Sequence, residues 1–358
     1  MRKTIHPPRS AHKRCSPVKM KLVALSAGLA LGTLPVHAAS TRELDIRPRQ
    51  QWEANYGYCG EVSLISAGLY YGQYISQYDM RAVASPNIDQ SREDSQLLLG
   101  VNAEQAAARL HLKATSWKRR GGSVDGFLTW VKANVLNGYP VTIGVYYNYG
   151  NFDNDTARLA GNKEYDHIVP VTGIRSSKPL EGNALYHPDD VLIFSDNGLW
   201  APNGRPKYTY RYSFKEIQAS RLEANSGAHP DYSLARSGGN YGIAVTGIID
   251  RDGETLPVRL QTSIASEAPA MEEGSSKRPA SSMIAITATV SRLKPGTSYK
   301  LYRYDTLQAV PEESFNGNAA KAAKMWSIKI ASGSTYSVKE TIRSSAIAVY
   351  RAVPVTAP

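Results

Sequence analysis

Four residues of this sequence have side chains of the types required to attack a carbonyl group: Cys59, His167, Asp196 and Gln51. A thiolate is a nucleophile, and an imidazole can take up its proton and return it. A carboxylate can orient the imidazole, and an amide N–H can stabilise a developing oxyanion. Acyl transfer through a cysteine is therefore the chemistry that these residues support if the fold brings them together.

Cys59 lies where a loop is predicted to become a helix. The polar and aromatic run before it ends in Gly57, and the apolar residues between positions 62 and 70 fall at helical spacing. A thiol at a helix N-terminus faces unpaired N–H groups and the positive end of the macrodipole, which favour the thiolate. Gly60 is expected to leave room for a substrate backbone. The alternative for Cys59 is a small buried hydrophobe, the usual role of a free cysteine.

The amino-terminal stretch has the order of regions typical of a secretory signal. A basic run up to Lys21 precedes an apolar segment at 22–34 and small residues before position 39. This pattern predicts that residues 1–38 are a signal peptide cleaved after Ala38, and that the mature protein is secreted or periplasmic. Because the apolar run is short for a membrane span, no stable membrane insertion is expected after cleavage. A membrane anchor or a chance basic tail remains the alternative.

Removal of this leader changes the charge and the cysteine count. The leader holds seven of the Lys and Arg residues and no acid, so the net charge falls from +11 to +4. A nucleic-acid partner is then no longer indicated by the charge. The leader also holds Cys15, which leaves Cys59 as the only cysteine. Because structural cysteines of exported proteins usually occur in pairs, this one is interpreted as a functional group.

The elements around the candidate residues predict an α+β domain over residues 39–255. His167 is the first residue of the predicted strand HIVPVTGI, which follows the strand VTIGVYY. The next apolar strand, in DVLIFSDNG, ends at Asp196. Helices come first and strands last, which favours an antiparallel sheet over a doubly wound one. Each strand end is a place where a side chain can face the helix that begins at Cys59.

Residues 256–358 are predicted to form a second domain. Their composition shifts to Ser, Ala, Glu and Pro at 263–282, which is typical of a linker or long loop. The later segments MIAITATVSRL, TSYKLYRYD, KMWSIKIAS and SSAIAVYRAV alternate polar and apolar residues, as strands do. The pattern resembles a small β-sandwich of the fibronectin type III kind. Such modules more often bind a partner or separate other domains than carry out catalysis. We therefore expect this domain to contact a cell surface or carbohydrate.

The order of the motifs resembles that of papain-like cysteine peptidases. Gln comes first, then Cys-Gly at a helix start, then His opening a valine-rich strand, then a strand ending in Asp or Asn. The segment LNGYPVTIGVYY before DHIVPVTGI is similar to the branch of bacteriocin-processing peptidases that remove double-glycine leaders, and to their secreted stand-alone relatives. The resemblance covers about residues 51–248.

The resemblance implies a papain-like domain that hydrolyses a peptide or amide bond in a peptide or protein substrate, without a cofactor. It implies Cys59 as nucleophile, His167 as general base and acid, Asp196 as the orienting residue and Gln51 at the oxyanion.

Two departures from the family pattern leave alternatives open. Gln51 lies eight residues before the cysteine, further than in papain, so Gln50 or Asn55 is an alternative oxyanion donor. Asp196 is followed by Asn197, and strand phase does not decide which of them points inward. Asp196 is favoured because the related branch commonly ends this strand in Asp.

Other classes of function also remain. No metal is expected, because the sequence has neither paired cysteines after the leader nor histidines at i and i+4. A non-catalytic binding protein on a papain-like scaffold is the main rival, and the numerous tyrosines would then supply contacts. An acyltransferase or a cell-wall amidase would use the same residues.

Overall fold

The computed structural model describes residues 39–117, 122–152, 164–197, 207–262 and 271–355. The predicted signal peptide at 1–38 and positions 263–270 of the predicted linker lie outside the described residues. All described residues belong to one compact unit.

Helices and strands are distributed along the whole described chain. The α-helices are α1 Cys59–Tyr70, α2 Gln77–Ala84, α3 Ala103–Arg109, α4 Val124–Leu136, α5 Tyr149–Phe152 and α6 Arg221–Ala224. The strands are β1 Ser40–Glu43, β2 Gln73–Tyr74, β3 Leu112–Ser116, β4 Val141–Tyr147, β5 His167–Ser176, β6 Val191–Ser195, β7 Thr209–Ser213, β8 Gln218–Ala219, β9 Tyr232–Ala235, β10 Gly242–Ile248, β11 Val258–Gln261, β12 Met283–Val290, β13 Ser298–Tyr304, β14 Lys324–Lys329, β15 Tyr336–Arg343 and β16 Ala348–Pro354.

The largest sheet has the strand order β3-β10-β4-β5-β6-β7, with β1 beside β5 and β9 beside β4. The pairs along this path are antiparallel, and β8 pairs with β9 in parallel. The fold is therefore a mixture of α and β with mostly antiparallel sheets, as the sequence predicts. Because β5 and β6 run in opposite directions, the first residue of β5 lies at the same sheet edge as the residue after β6.

Helix α1 forms where the sequence predicts it, and α4 is bounded by a capping serine and a glycine. Helix α1 begins at Cys59 and buries nearly all of its residues, because it packs between β5 and the elements that follow it in the chain. Helix α4 begins after Ser123, whose Oγ accepts a hydrogen bond from Gly126 N at 3.2 Å. Gly138 follows its end with φ +81°, a left-handed conformation that glycine adopts without steric cost.

The carboxy-terminal strands form two further antiparallel sheets, of order β11-β12-β15 and β14-β13-β16-β2. The four strands predicted beyond residue 282 are all present. Strand β2 directly follows α1, and it pairs with β16 through Tyr74 and Ala348. One apolar core contains side chains from α1 to α3 together with side chains of both sheets. The carboxy-terminal sheets thus share a core with the helix that carries Cys59.

None of the described helices combines the length and the apolar character needed to cross a bilayer.

Candidate active site

Cys59, His167 and Asp196 lie at the ends of three neighbouring elements. Cys59 is the first residue of α1, His167 is the first residue of β5, and Asp196 directly follows β6. Helix α1 is held against β5 by Ser63, whose Oγ lies 2.7 Å from the carbonyl oxygen of Cys59 and 3.2 Å from that of Ile168. The start of the helix is thereby fixed beside the start of the strand.

The His167 imidazole lies between the thiol and the carboxylate. Its Nε2 is 2.9 Å from Asp196 Oδ1, and both side chains are buried. The same ring hydrogen-bonds the Cys59 side chain. Burial alone lowers the pKa of His167, but the hydrogen bonds to Asp196 and Cys59 and their negative charges outweigh it and raise this pKa to about 10. The site thus favours the imidazolium at neutral pH.

Tyr232 covers the imidazole. The two rings stack with their centroids 5.8 Å apart and their planes at 23°. Tyr232 is fully buried, and burial together with the Asp196 charge raises its pKa well above the ordinary value. This residue of β9 keeps water away from the hydrogen bond between His167 and Asp196, and no local sequence signal connects it with them.

Cys59 is a free and partly exposed cysteine. Tyr58, which precedes α1, makes no side-chain capping hydrogen bond to the N–H groups of the first turn. The thiol is therefore open to a reactant at the positive end of a helix.

Asp196 and Asn197 point to different partners. Asp196 contacts His167, whereas Asn197 Nδ2 lies 3.1 Å from Gln51 Oε1 and 3.4 Å from the carbonyl oxygen of Cys59. Of the two neighbours, Asp196 is the one that orients the imidazole. Asn197 instead connects Gln51 to the first turn of α1.

The alternative oxyanion donor Asn55 is engaged elsewhere. Its Nδ2 donates to the carbonyl oxygen of Ser275 at 2.7 Å, and its Oδ1 accepts from Gly274 N at 2.8 Å. Gln50 contributes its carbonyl oxygen to Gln77 Nε2 at 3.2 Å. Gln51 is the residue of the three whose carboxamide is bonded to Asn197. Residues 271–276, from the predicted linker, thus pack on the loop that precedes Cys59.

A buried arginine holds that loop in place. Arg81 Nε donates to Glu61 Oε1 at 2.6 Å, and its other nitrogens donate to carbonyl oxygens of loop 55–57. Its guanidinium also lies 3.5 Å from the centre of the Tyr58 ring. All three loop residues have positive φ, a strained conformation for the two that are not glycine. The ion pair between Arg81 and Glu61 therefore stabilises the loop that leads to Cys59.

The expectation that Gly60 leaves room for a substrate backbone is wrong. A Cβ atom at this position would lie 2.0 Å from the carbonyl oxygen of Leu97. The backbone of Leu97 also donates to Glu61 Oε1 at 3.1 Å. The chain itself fills the space beside Gly60, which fixes residues 97–99 next to the start of α1.

Tyr165 forms another side of the site. Burial raises the pKa of Tyr165, and the nearby negative charge of Cys59 raises it further by a smaller amount. Its hydroxyl donates to the carbonyl oxygen of Leu99 at 3.1 Å, and its ring meets Tyr241 edge-on at 5.2 Å. Gly144 makes room for this ring, because a Cβ there would lie 2.6 Å from it.

The described residues contain no cluster of three or more His, Cys, Asp or Glu side chains placed to hold a metal ion. The chemistry that this arrangement supports uses the chain's own groups: a thiol that can lose a proton to an imidazole, and an imidazole that a carboxylate orients. Comparison of the chain with protein-family models, with curated proteins and with solved structures gave no match.

Proposed function

We propose that this protein is an exported cysteine peptidase with a papain-like catalytic region, which hydrolyses amide bonds in peptide or protein substrates. The observation that carries the proposal is the position of the His167 ring, hydrogen-bonded to Cys59 on one side and to Asp196 Oδ1 at 2.9 Å on the other. This is the set of contacts that an activated nucleophile requires.

In the first half of the reaction, the Cys59 thiolate, whose proton the imidazole has already taken, attacks the carbonyl carbon of the substrate. The oxyanion that forms accepts hydrogen bonds from the Cys59 backbone N–H and from Gln51 Nε2. When the carbon–nitrogen bond breaks, the His167 imidazolium protonates the leaving amine. The product is a thioester of Cys59 and a free amine.

In the second half, His167 removes a proton from water, which attacks the thioester carbonyl. The carbon–sulfur bond breaks, the thiol recovers its proton from the imidazolium, and the acid leaves. Asp196 holds the ring in one orientation through both halves. Tyr232, whose ring centre lies 5.8 Å from that of His167, excludes water from His167 and Asp196, and this strengthens the electrostatic interaction between them.

The signal-like order of residues 1–38 supports an activity outside the cytoplasm, so peptides or proteins of an exported compartment are the proposed substrates. The strands from β11 onward serve to support α1 in this account. Contact with a cell surface or carbohydrate is a further role proposed for their exposed faces.

The experiment is to incubate the mature protein and its Cys59→Ala variant with a mixed peptide library in water enriched in oxygen-18, and to analyse products by mass spectrometry. Cleavage that requires Cys59 and puts one heavy oxygen into each new carboxyl group supports the hydrolase. Products joined to an added amine would identify an acyltransferase. Binding of peptides without cleavage by either protein would support the non-catalytic rival. Release of peptide from purified peptidoglycan alone would identify a cell-wall amidase.

A further inference from the structure

We propose that Asn197 is a positioning residue that directs the Gln51 carboxamide nitrogen toward the oxyanion site. One dipeptide after β6 then serves both halves of the apparatus, with Asp196 orienting the imidazole and Asn197 orienting the oxyanion donor. This inference rests on the proposed function, because it assigns a partner to the residue placed at the oxyanion.

The orientation of the Asn197 carboxamide is determined by two backbone groups. Its Nδ2 lies 3.2 Å from the carbonyl oxygen of Ile168 and 3.4 Å from that of Cys59. A carbonyl oxygen can only accept a hydrogen bond, so the NH₂ group must face both of them. If the amide turned over, Oδ1 would meet these two oxygens without any proton between them.

The orientation of Gln51 follows from that of Asn197. The two N–H hydrogens of Asn197 are shared among three acceptors, because its Nδ2 also lies 3.1 Å from the Gln51 carboxamide, and a second NH₂ group at that contact would place donor against donor. The atom of Gln51 at this contact is therefore Oε1, and Nε2 is turned to the opposite side. In addition, Gln51 N donates to the carbonyl oxygen of Asn197 at 3.2 Å, so backbone and side chain hold the two residues together.

Space for the Gln51 nitrogen is provided by Gly57. A Cβ atom on Gly57 would lie 3.2 Å from Gln51 Nε2, closer than most such contacts. Gly57 has φ +80°, which a residue with a side chain rarely adopts. Among the described residues, no acceptor bonds to Gln51 Nε2, so its N–H groups are available to a substrate oxygen.

Asn197 is buried, and its Oδ1 has no hydrogen-bond partner among the described residues. An unsatisfied buried oxygen is unfavourable, and an apolar residue of similar size would avoid it. The hydrogen bonds from the NH₂ group to three acceptors explain why an amide occupies this position.

The test compares Asn197→Ala, Gln51→Ala and the double variant in two assays. Amide hydrolysis builds an oxyanion, whereas alkylation of Cys59 by iodoacetamide does not. We expect Asn197→Ala to lower kcat by about 10²-fold, the loss typical of one oxyanion donor, with little change in KM. Its alkylation rate should equal that of the wild type. The double variant should lose no more than Gln51→Ala alone, because both changes remove the same interaction.

Asn197→Leu is the matched variant, since it keeps the approximate size of the side chain and removes the donor. It should lose activity as Asn197→Ala does, and it is the variant to use if the alanine protein does not fold. A loss of alkylation rate equal to the loss of kcat would overturn the inference, because it would show that Asn197 only holds the fold around Cys59. Unchanged kcat in a folded variant would overturn it as well.

A readout without substrate separates this inference from the proposed function. The side-chain amide signals of Gln51 in nitrogen-15 NMR should shift in Asn197→Ala and stay in place in Tyr212→Phe, a change at a half-buried side chain. If the wild type cleaves no amide, the proposed function fails, and these signals alone decide the orientation. Gln51 signals identical in wild type and Asn197→Ala would overturn the inference.

Discussion

His167 Nε2 and Asp196 Oδ1 lie 2.9 Å apart in a buried contact at one edge of the main sheet. Antiparallel pairing of β5 with β6 produces this contact from residues 29 positions apart in sequence. Because the contact supports the charged imidazole, it should set both the rate and the pH range of the reaction.

The variant Asp196→Asn tests that contact. In the wild type, His167 acts as an acid while protonated, so kcat/KM should fall on the alkaline side as pH rises through its pKa of about 10. Removal of the carboxylate charge should move this fall to lower pH, toward the ordinary imidazole value, and reduce kcat/KM by roughly 10²- to 10⁴-fold. The pH dependence of kcat/KM measures both effects. Asp189→Asn, at an exposed carboxylate near β6, is the control and should change neither.

The stability of the fold should also depend on the charge of His167. Its pKa is raised from 6.5 in the unfolded reference to about 10 in the folded protein. A raised pKa contributes stability that is complete below pH 6.5 and is lost as pH rises through about 10. Urea unfolding of wild type and His167→Gln should therefore give a free-energy difference that shrinks from mildly acidic to alkaline pH. A difference that grows over this range would contradict the contact with Asp196.

Gly60→Ala should disturb the start of α1. The added methyl would lie 2.0 Å from the carbonyl oxygen of Leu97, so residues around Leu97 must move. Overpacking of this kind typically costs about 1–3 kcal/mol of unfolding free energy. Gly247→Ala is the matched control, because nothing lies within 4 Å of a Cβ there. Denaturant unfolding should show a loss for the first variant and little change for the second, and equal losses would contradict the packing described here.

A chain that ends at residue 255 should not fold cooperatively. The core around α1 includes apolar side chains from β11 onward, and these would be missing. Arg259 and Arg351 also donate to the carbonyl oxygens of Tyr70 and Tyr71 at the end of α1. Such contacts satisfy carbonyls that a helix end leaves unpaired. Thermal unfolding followed by circular dichroism should lack a sharp transition in the truncated chain. A sharp transition would favour the predicted independent domain over residues 39–255.

Local patterns in the sequence predict the elements of the site. The apolar spacing after Cys59 gives the start of α1, and the valine-rich run after His167 gives the start of β5, because both depend on residues within one element. The alternation that predicts β12 and β13 is of the same kind.

Contacts between distant segments were not predictable in this way. Strand β2 is only two residues long, and its pairing with β16 joins residues more than 270 positions apart. Strand β15 carries charged residues on its exposed face, which weakens its apolar signal, so the local pattern does not predict it as a strand. The contact of Gly60 with Leu97 depends on where a loop folds back. The separate partners of Asp196 and Asn197 depend on the twist of the chain after β6.

The most direct test of the account is the rate at which iodoacetamide alkylates Cys59 in the mature protein and in His167→Ala, at acidic and at neutral pH. We expect the wild type to react faster than a free model thiol at acidic pH and the variant to lose this advantage, because an imidazolium beside Cys59 stabilises the reactive thiolate. Equal and slow labelling of the two proteins, with both shown to be folded, would contradict the central claim that His167 activates Cys59.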